Sequence, residues 1–183
     1  MLCIVWLVMC VYNGTMGETI TMRKLGSTST TRAMKKRCES DLLFLARDIL
    51  GYKYNNETRE GINDPPDIVH QRMVLLDNRE ERWHMSLYPR FTYKTTLLTI
   101  CKSIQLLLND PNTTILIVSE IWENSRRMLN EIVWHLTNNE VLLELYGEFK
   151  PKKGRGWCSE YINISQKTSP RKEPSIATAG IDT

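Results

Sequence analysis

The sequence predicts an α/β fold, a parallel sheet flanked by helices in the layout of a phosphate-binding-loop domain. Three observations predict it. Thr113 to Ser119 is a near-continuous apolar, β-branched run, the pattern of a strand buried on both faces of a parallel sheet. From Met85 to Leu136, strand, loop, helix, strand and helix follow one another with connections of ordinary length. The first of those turns, Pro89-Arg90-Phe91-Thr92-Tyr93-Lys94-Thr95-Thr96, carries a Lys-Thr pair that opens a helical pattern.

The bulk numbers agree with a globular chain. There are 183 residues, room for an ordinary domain plus a tail, with 42% hydrophobic and 25% charged residues. A net charge of +3 excludes a polycation, but the basic residues cluster: six Lys or Arg and no acid lie between Arg23 and Arg37, and four more between Lys150 and Arg155. Such patches suit nucleic acid or a solvated segment. Five cysteines without CxxC pairing and three histidines offer no zinc cage, and they fit a reducing compartment better than a disulfide framework.

Taken in order, the chain opens on an apolar run, Leu2 to Tyr12, too short to span a bilayer and lacking the flanks of a secretory signal. It reads as a strand, or as translated upstream sequence with Met16, Met22 or Met34 as the working start. Gly14 to Arg37 is Thr, Ser, Gly and basic residues without apolar periodicity, the composition of a disordered tail. Ser40 then caps a helix with Leu42, Leu45, Ala46 and Ile49 at helical spacing, stopped by Gly51. A polar stretch reaches Pro65-Pro66, which forbids helix up to that point. A second helix runs from Asp67 to Asn78 with Ile68, Met73, Leu75 and Leu76 as its apolar side. Met85 to Tyr88 is a short strand leading into the loop.

Beyond the loop, Leu97 to Leu108 has a wide apolar face and ends at Asn109-Asp110-Pro111-Asn112. After the buried strand, a helix from Glu123 to Leu136 places Met128, Leu129, Ile132 and Val133 inside, and Val141 to Tyr146 is a short helix closed by Gly147. Tyr161 to Ser165 and Ser175 to Ala179 read as two strands joined by a hairpin through Ser169-Pro170. Three regions follow: an apolar start and basic tail (1–38), a helical lead-in (39–80) and the partial phosphate-loop domain (81–183).

The chemistry expected of the loop depends on residue type. A Lys ammonium there reaches the outer phosphates, the Thr95 hydroxyl is placed to ligate Mg²⁺, and the free amides of the helix start face the anion. The motif asks for Gly at both ends of the frame before the Lys, and this chain holds Tyr88 and Tyr93 there. The plainer reading of the same residues is a surface helix start, with Lys94 solvated and Thr95 a simple N-cap.

The order of motifs resembles the ATPase part of the large terminase subunit of tailed bacteriophages, over roughly residues 40 to 183. The segment Asp41 to Tyr52, His70 to Met73, Pro89-Arg90 with Lys94-Thr95-Thr96, Ile115 to Glu120, Tyr146 to Phe149 and Lys172 to Gly180 are similar to that family's landmarks in sequence order. The resemblance implies a helicase-like P-loop NTPase of the ASCE class. It implies that ATP and Mg²⁺ bind on Pro89, Arg90, Phe91, Thr92, Tyr93, Lys94, Thr95 and Thr96. Arg90 and Lys94 would be the catalytic residues and Thr95 the Mg²⁺ ligand. It further implies a motor that couples ATP hydrolysis to moving double-stranded DNA into the capsid without reading its sequence. A portal protein, a small terminase subunit and further copies of the chain would be partners, in the host cytoplasm and away from any membrane.

Two departures qualify that expectation. Phe91 stands where the family pattern has Gly, restricting φ beside the phosphates. The acidic second motif and the nuclease domain would come after Thr183, so the chain is expected to be a fragment with little activity alone. The alternatives are a helicase-like ATPase of another type, or a binding module of the same fold without catalysis. Gln71 lies at the distance where helicase-like ATPases read adenine, unless it is merely exposed. Ser119 and Glu120 end the buried strand where ligands collect, unless they form only a turn. Asp110 and Glu131 read as solvated, and Trp122, Trp134 and Trp157 as core or half-buried anchors.

Overall fold

Ile115, Ile117 and Ser119 are buried while Leu116 between them is half exposed, so strand β1 (Ile115–Ser119) packs one face and leaves the other open. This corrects the expectation of burial on both faces. In the computed structural model, which describes residues 28–56, 60–77, 85–151, 157–170 and 172–181, β1 belongs to a three-stranded sheet. Its order is β1-β3-β2, with β2 at Tyr161–Ile162 and β3 at Ile176–Gly180. β1 and β3 run parallel, registered from Ile115 opposite Ile176 to Ser119 opposite Gly180. β2 pairs antiparallel with β3, as the hairpin reading required. It is short because Asn163 turns the chain, its carbonyl accepting from Trp157 Nε1 and its side-chain oxygen from the Ser175 amide.

The helices are α1 (Thr28–Ser40), α2 (Leu42–Phe44), α3 (Ile68–Asp77), α4 (Lys102–Asn109), α5 (Trp122–Asn138) and α6 (Glu140–Tyr146). Wider π-helical turns extend α2 through Leu45–Ile49 and lead into α4 through Thr96–Cys101. The molecule is therefore mixed helix with a small sheet. α5 lies across β1 and β3 and brings Met128, Leu129, Ile132 and Leu136 into the core. Ser125 Oγ on its first turns donates to the Ala179 carbonyl at 3.0 Å. Gly180 admits the close approach: a β-carbon there would lie 2.7 Å from Trp122 Cβ, closer than real contacts allow.

Four expectations need correction. Residues 28–37, assigned by composition to a disordered tail, lie in α1. Its narrow apolar stripe, Met34 and Cys38 one turn apart, is docked by its neighbours. Gln105 Nε2 donates to the Cys38 carbonyl, Tyr146 Oη donates to the Lys35 carbonyl, and the Arg37 guanidinium lies 3.9 Å over the Phe44 ring. Ser40 ends α1, and it is Asp41 that caps α2, accepting from the Phe44 amide at 2.9 Å. In α3 the buried residues are His70 and Met73, while Ile68 and Leu75 are exposed.

Met85 to Tyr88 is not a strand of the described sheet. Met85 and Leu87 are 65% and 60% exposed. A four-residue run gains strand character only from a neighbour's ladder bonds, and none is supplied here among the described residues. The apolar run Leu2 to Tyr12 lies outside the described residues.

Candidate functional site

The loop closes on a lysine. Lys94 Nζ donates to the carbonyls of Tyr88 (3.0 Å) and Pro89 (2.9 Å), and Thr92 Oγ1 donates to the same Pro89 carbonyl at 2.9 Å. The chain thus bends around its own ammonium. Helix begins at Lys94, and the Leu97 amide bonds the Tyr93 carbonyl at 2.9 Å. By helix geometry, the amides of Lys94, Thr95 and Thr96 are the ones left without a helical acceptor. The Thr95 side chain makes no capping bond, so the plain N-cap role does not describe it.

Phe91 and Tyr93 both take positive φ, 62° and 57°, at the two places where glycine would be at home. Each costs on the order of 1–2 kcal/mol for a residue with a β-carbon. The restriction expected at Phe91 is therefore overridden, and its ring, 98% exposed, sits in solvent. Arg90 beside it is also exposed.

Behind Tyr93 lies a polar cluster the sequence did not announce. Tyr52, set just after the turn at Gly51, meets the Tyr93 ring edge-on with centroids 6.4 Å apart. Its hydroxyl lies 2.5 Å from Glu131 Oε1 and 2.9 Å from His135 Nε2, both on α5. A phenol has one proton to give. Given to the Glu131 carboxylate, it leaves the oxygen to accept from His135 Nε2–H. The bare Nδ1 of that tautomer then agrees with the lack of any hydrogen-bond partner there. Burial lowers His135 to about 4, keeping it neutral at pH 7. Burial, and after it the bond to Glu131, raises the Tyr52 hydroxyl, while Tyr93 is raised by burial, then by Glu60 and Glu131. Glu131 is exposed, as read from sequence, and from there accepts the Tyr52 hydroxyl. The only signal was a weak one: Glu131 and His135 are one turn apart on α5, on a side they share with Arg127 and Asn138.

Beside the loop is an open pocket of about 430 Å³, lined by Tyr54, Gly61, Asn63, His70 and the loop residues Phe91 to Tyr93, with Glu60 and Asp67 making its wall acidic. Asp67 caps α3 through the His70 amide at 2.9 Å. Gln71 is not in this wall; its side-chain Nε2 donates to the Pro66 carbonyl at 2.6 Å. Ser119 ends β1 and Glu120 bends the chain after it, and both carbonyls accept from the Ile181 amide. Asp110 is exposed as read, but Trp134 is exposed rather than an anchor, while Trp122 and Trp157 are half buried.

A Mg-nucleotide is compatible with this donor set. The Thr95 hydroxyl and the first helix amides would meet the ion and the phosphates, since Mg²⁺ accepts few protein ligands when phosphate oxygens and water supply the rest. Among the described residues no group of three or more His, Cys, Asp or Glu converges to hold a metal by itself. No helix among them is long and apolar enough to cross a membrane. No family model, curated protein or solved structure matches the chain.

Proposed function

We propose that the loop from Pro89 to Thr96 binds the phosphates of Mg-ATP, in a P-loop domain that serves as the ATP-binding part of a DNA-packaging motor of the large-terminase kind. The observation that carries the reading is the Lys94 ammonium held inside a closed loop at a helix start. Bound ATP supplies the transferable phosphoryl group. Lys94 exchanges its two carbonyl partners for outer phosphate oxygens, and the amides of Lys94 to Thr96 meet the remaining negative charge. Thr95 ligates the Mg²⁺, and Arg90, exposed at the loop's rim, folds onto the outer phosphate. Double-stranded DNA held by its backbone, a portal protein, a small terminase subunit, further copies of the chain and a place in the host cytoplasm belong to the same proposal.

A second reading, a nucleotide-binding module without turnover, is favoured by the carboxylates near the loop. Glu131 is already taken by Tyr52, and Glu60 and Asp67 line the pocket wall. Titration of the chain with Mg-ATP tests both. Binding that weakens at least about tenfold in Lys94→Ala and loses its Mg²⁺ dependence in Thr95→Ala supports the loop. Absence of binding at millimolar Mg-ATP sinks both readings, and phosphate release by the chain excludes the second.

A further inference from the structure

We propose that Tyr52 is a positioning residue for the loop: its ring holds Tyr93 in the left-handed conformation, and Glu131 with His135 fixes that ring from α5. The binding role so assigned rests on the phosphate-loop reading.

Tyr93 stands at the loop position where glycine would adopt φ 57° freely. A tyrosine persists there only if its surroundings over-determine it. Two contacts do so. The Tyr93 carbonyl takes the first helical bond, from Leu97, and its ring meets the edge of Tyr52. Edge-to-face aromatic pairs are directional, so the orientation of Tyr52 dictates that of Tyr93.

Tyr52 is unusually well held for a residue just past a helix end. Its amide donates to the Ala46 carbonyl at 3.0 Å, its carbonyl accepts from Ile62 at 2.8 Å, and its hydroxyl is gripped on both sides by α5. The two grips come from residues 79 and 83 positions further along. The clamp replaces what a glycine would do by intrinsic freedom, and it ties the loop's shape to α5, the helix that lies across β1 and β3.

The experiment compares Tyr52→Phe, Tyr52→Ala, Tyr93→Gly and the Tyr52→Ala/Tyr93→Gly double variant. Each is followed by hydrogen exchange at the Leu97 amide, which bonds the Tyr93 carbonyl, without nucleotide, and by Mg-ATP binding. Tyr52→Ala should speed exchange at this amide roughly tenfold and weaken binding by a similar factor, the scale of one left-handed non-glycine residue. Tyr52→Phe, which keeps the ring but loses both grips, should fall between. With Tyr93→Gly in place, Tyr52→Ala should add nothing at the loop, whatever it does to global stability. Equal losses in both backgrounds would make Tyr52 merely structural and overturn the clamp, as would unchanged loop exchange in a chain that binds Mg-ATP. Failure of the unmutated chain to bind would overturn the phosphate-loop reading and with it the binding role of Tyr52.

Discussion

His135 makes stability depend on pH in a direction its surroundings dictate. The imidazole is 4% exposed and its Nδ1 faces no acceptor, so a second proton would sit on a buried, unpartnered nitrogen. Burial accordingly lowers it from 6.5 to about 4. The unfolded chain, with the ordinary value, then binds more protons than the folded one between those limits. Stability from this group is complete above about pH 6.5 and is lost as pH falls towards 4. A depression of this size corresponds to somewhat over 3 kcal/mol at most, with about 2–3 kcal/mol lost by pH 4. Because pH acts on the whole chain, the comparison is with His135→Gln, which keeps an N–H donor for Tyr52 without the imidazole. Urea unfolding of both chains from pH 7 to 4 should show the unmutated chain losing about 2–3 kcal/mol more than the variant. Parallel pH profiles, or an imidazole that titrates near 6.5 by NMR, refute the buried neutral histidine.

Lys102 and Asp77 form an ion pair at 2.8 Å, with side chains only 6% and 13% exposed, tying α4 to α3. Lys102→Met should cost about 3–5 kcal/mol in denaturant unfolding, and adding Asp77→Leu should recover most of it, because the loss comes from stranding a buried charge. Gly180→Ala forces a β-carbon against Trp122 and should cost about 1–3 kcal/mol, read as a lowered melting temperature with α5 loosened from β3. In a Cys3→Ser/Cys10→Ser background, a thiol reagent at pH 8 should modify exposed Cys158 quickly. Cys38, buried and pushed up to about 12 chiefly by desolvation, and buried Cys101 should react only after unfolding. Rapid native reaction at Cys38 would mean that α1 is not docked.

Periodicity alone was enough for α5 and α6, for the β-branched run of β1 and for the hairpin that carries β3, because each is set by apolar spacing within a dozen or so neighbours. The lysine and threonine of the loop were legible for the same reason, as residue types at a turn before a helix. Local pattern could not reveal what depends on a distant partner. α1 is helical because Gln105, Phe44 and Tyr146 dock it, though its own stripe is too narrow to announce a core face. Met85 to Tyr88 looked like a strand, yet no described neighbour supplies its ladder bonds. The left-handed Tyr93 and the Tyr52–Glu131–His135 cluster behind it were equally hidden. Sequence determined which chemical groups the chain carries and which short segments coil or extend. Tertiary structure decided which groups meet, because contacts across 79 residues depend on how the elements pack, and no local propensity encodes that.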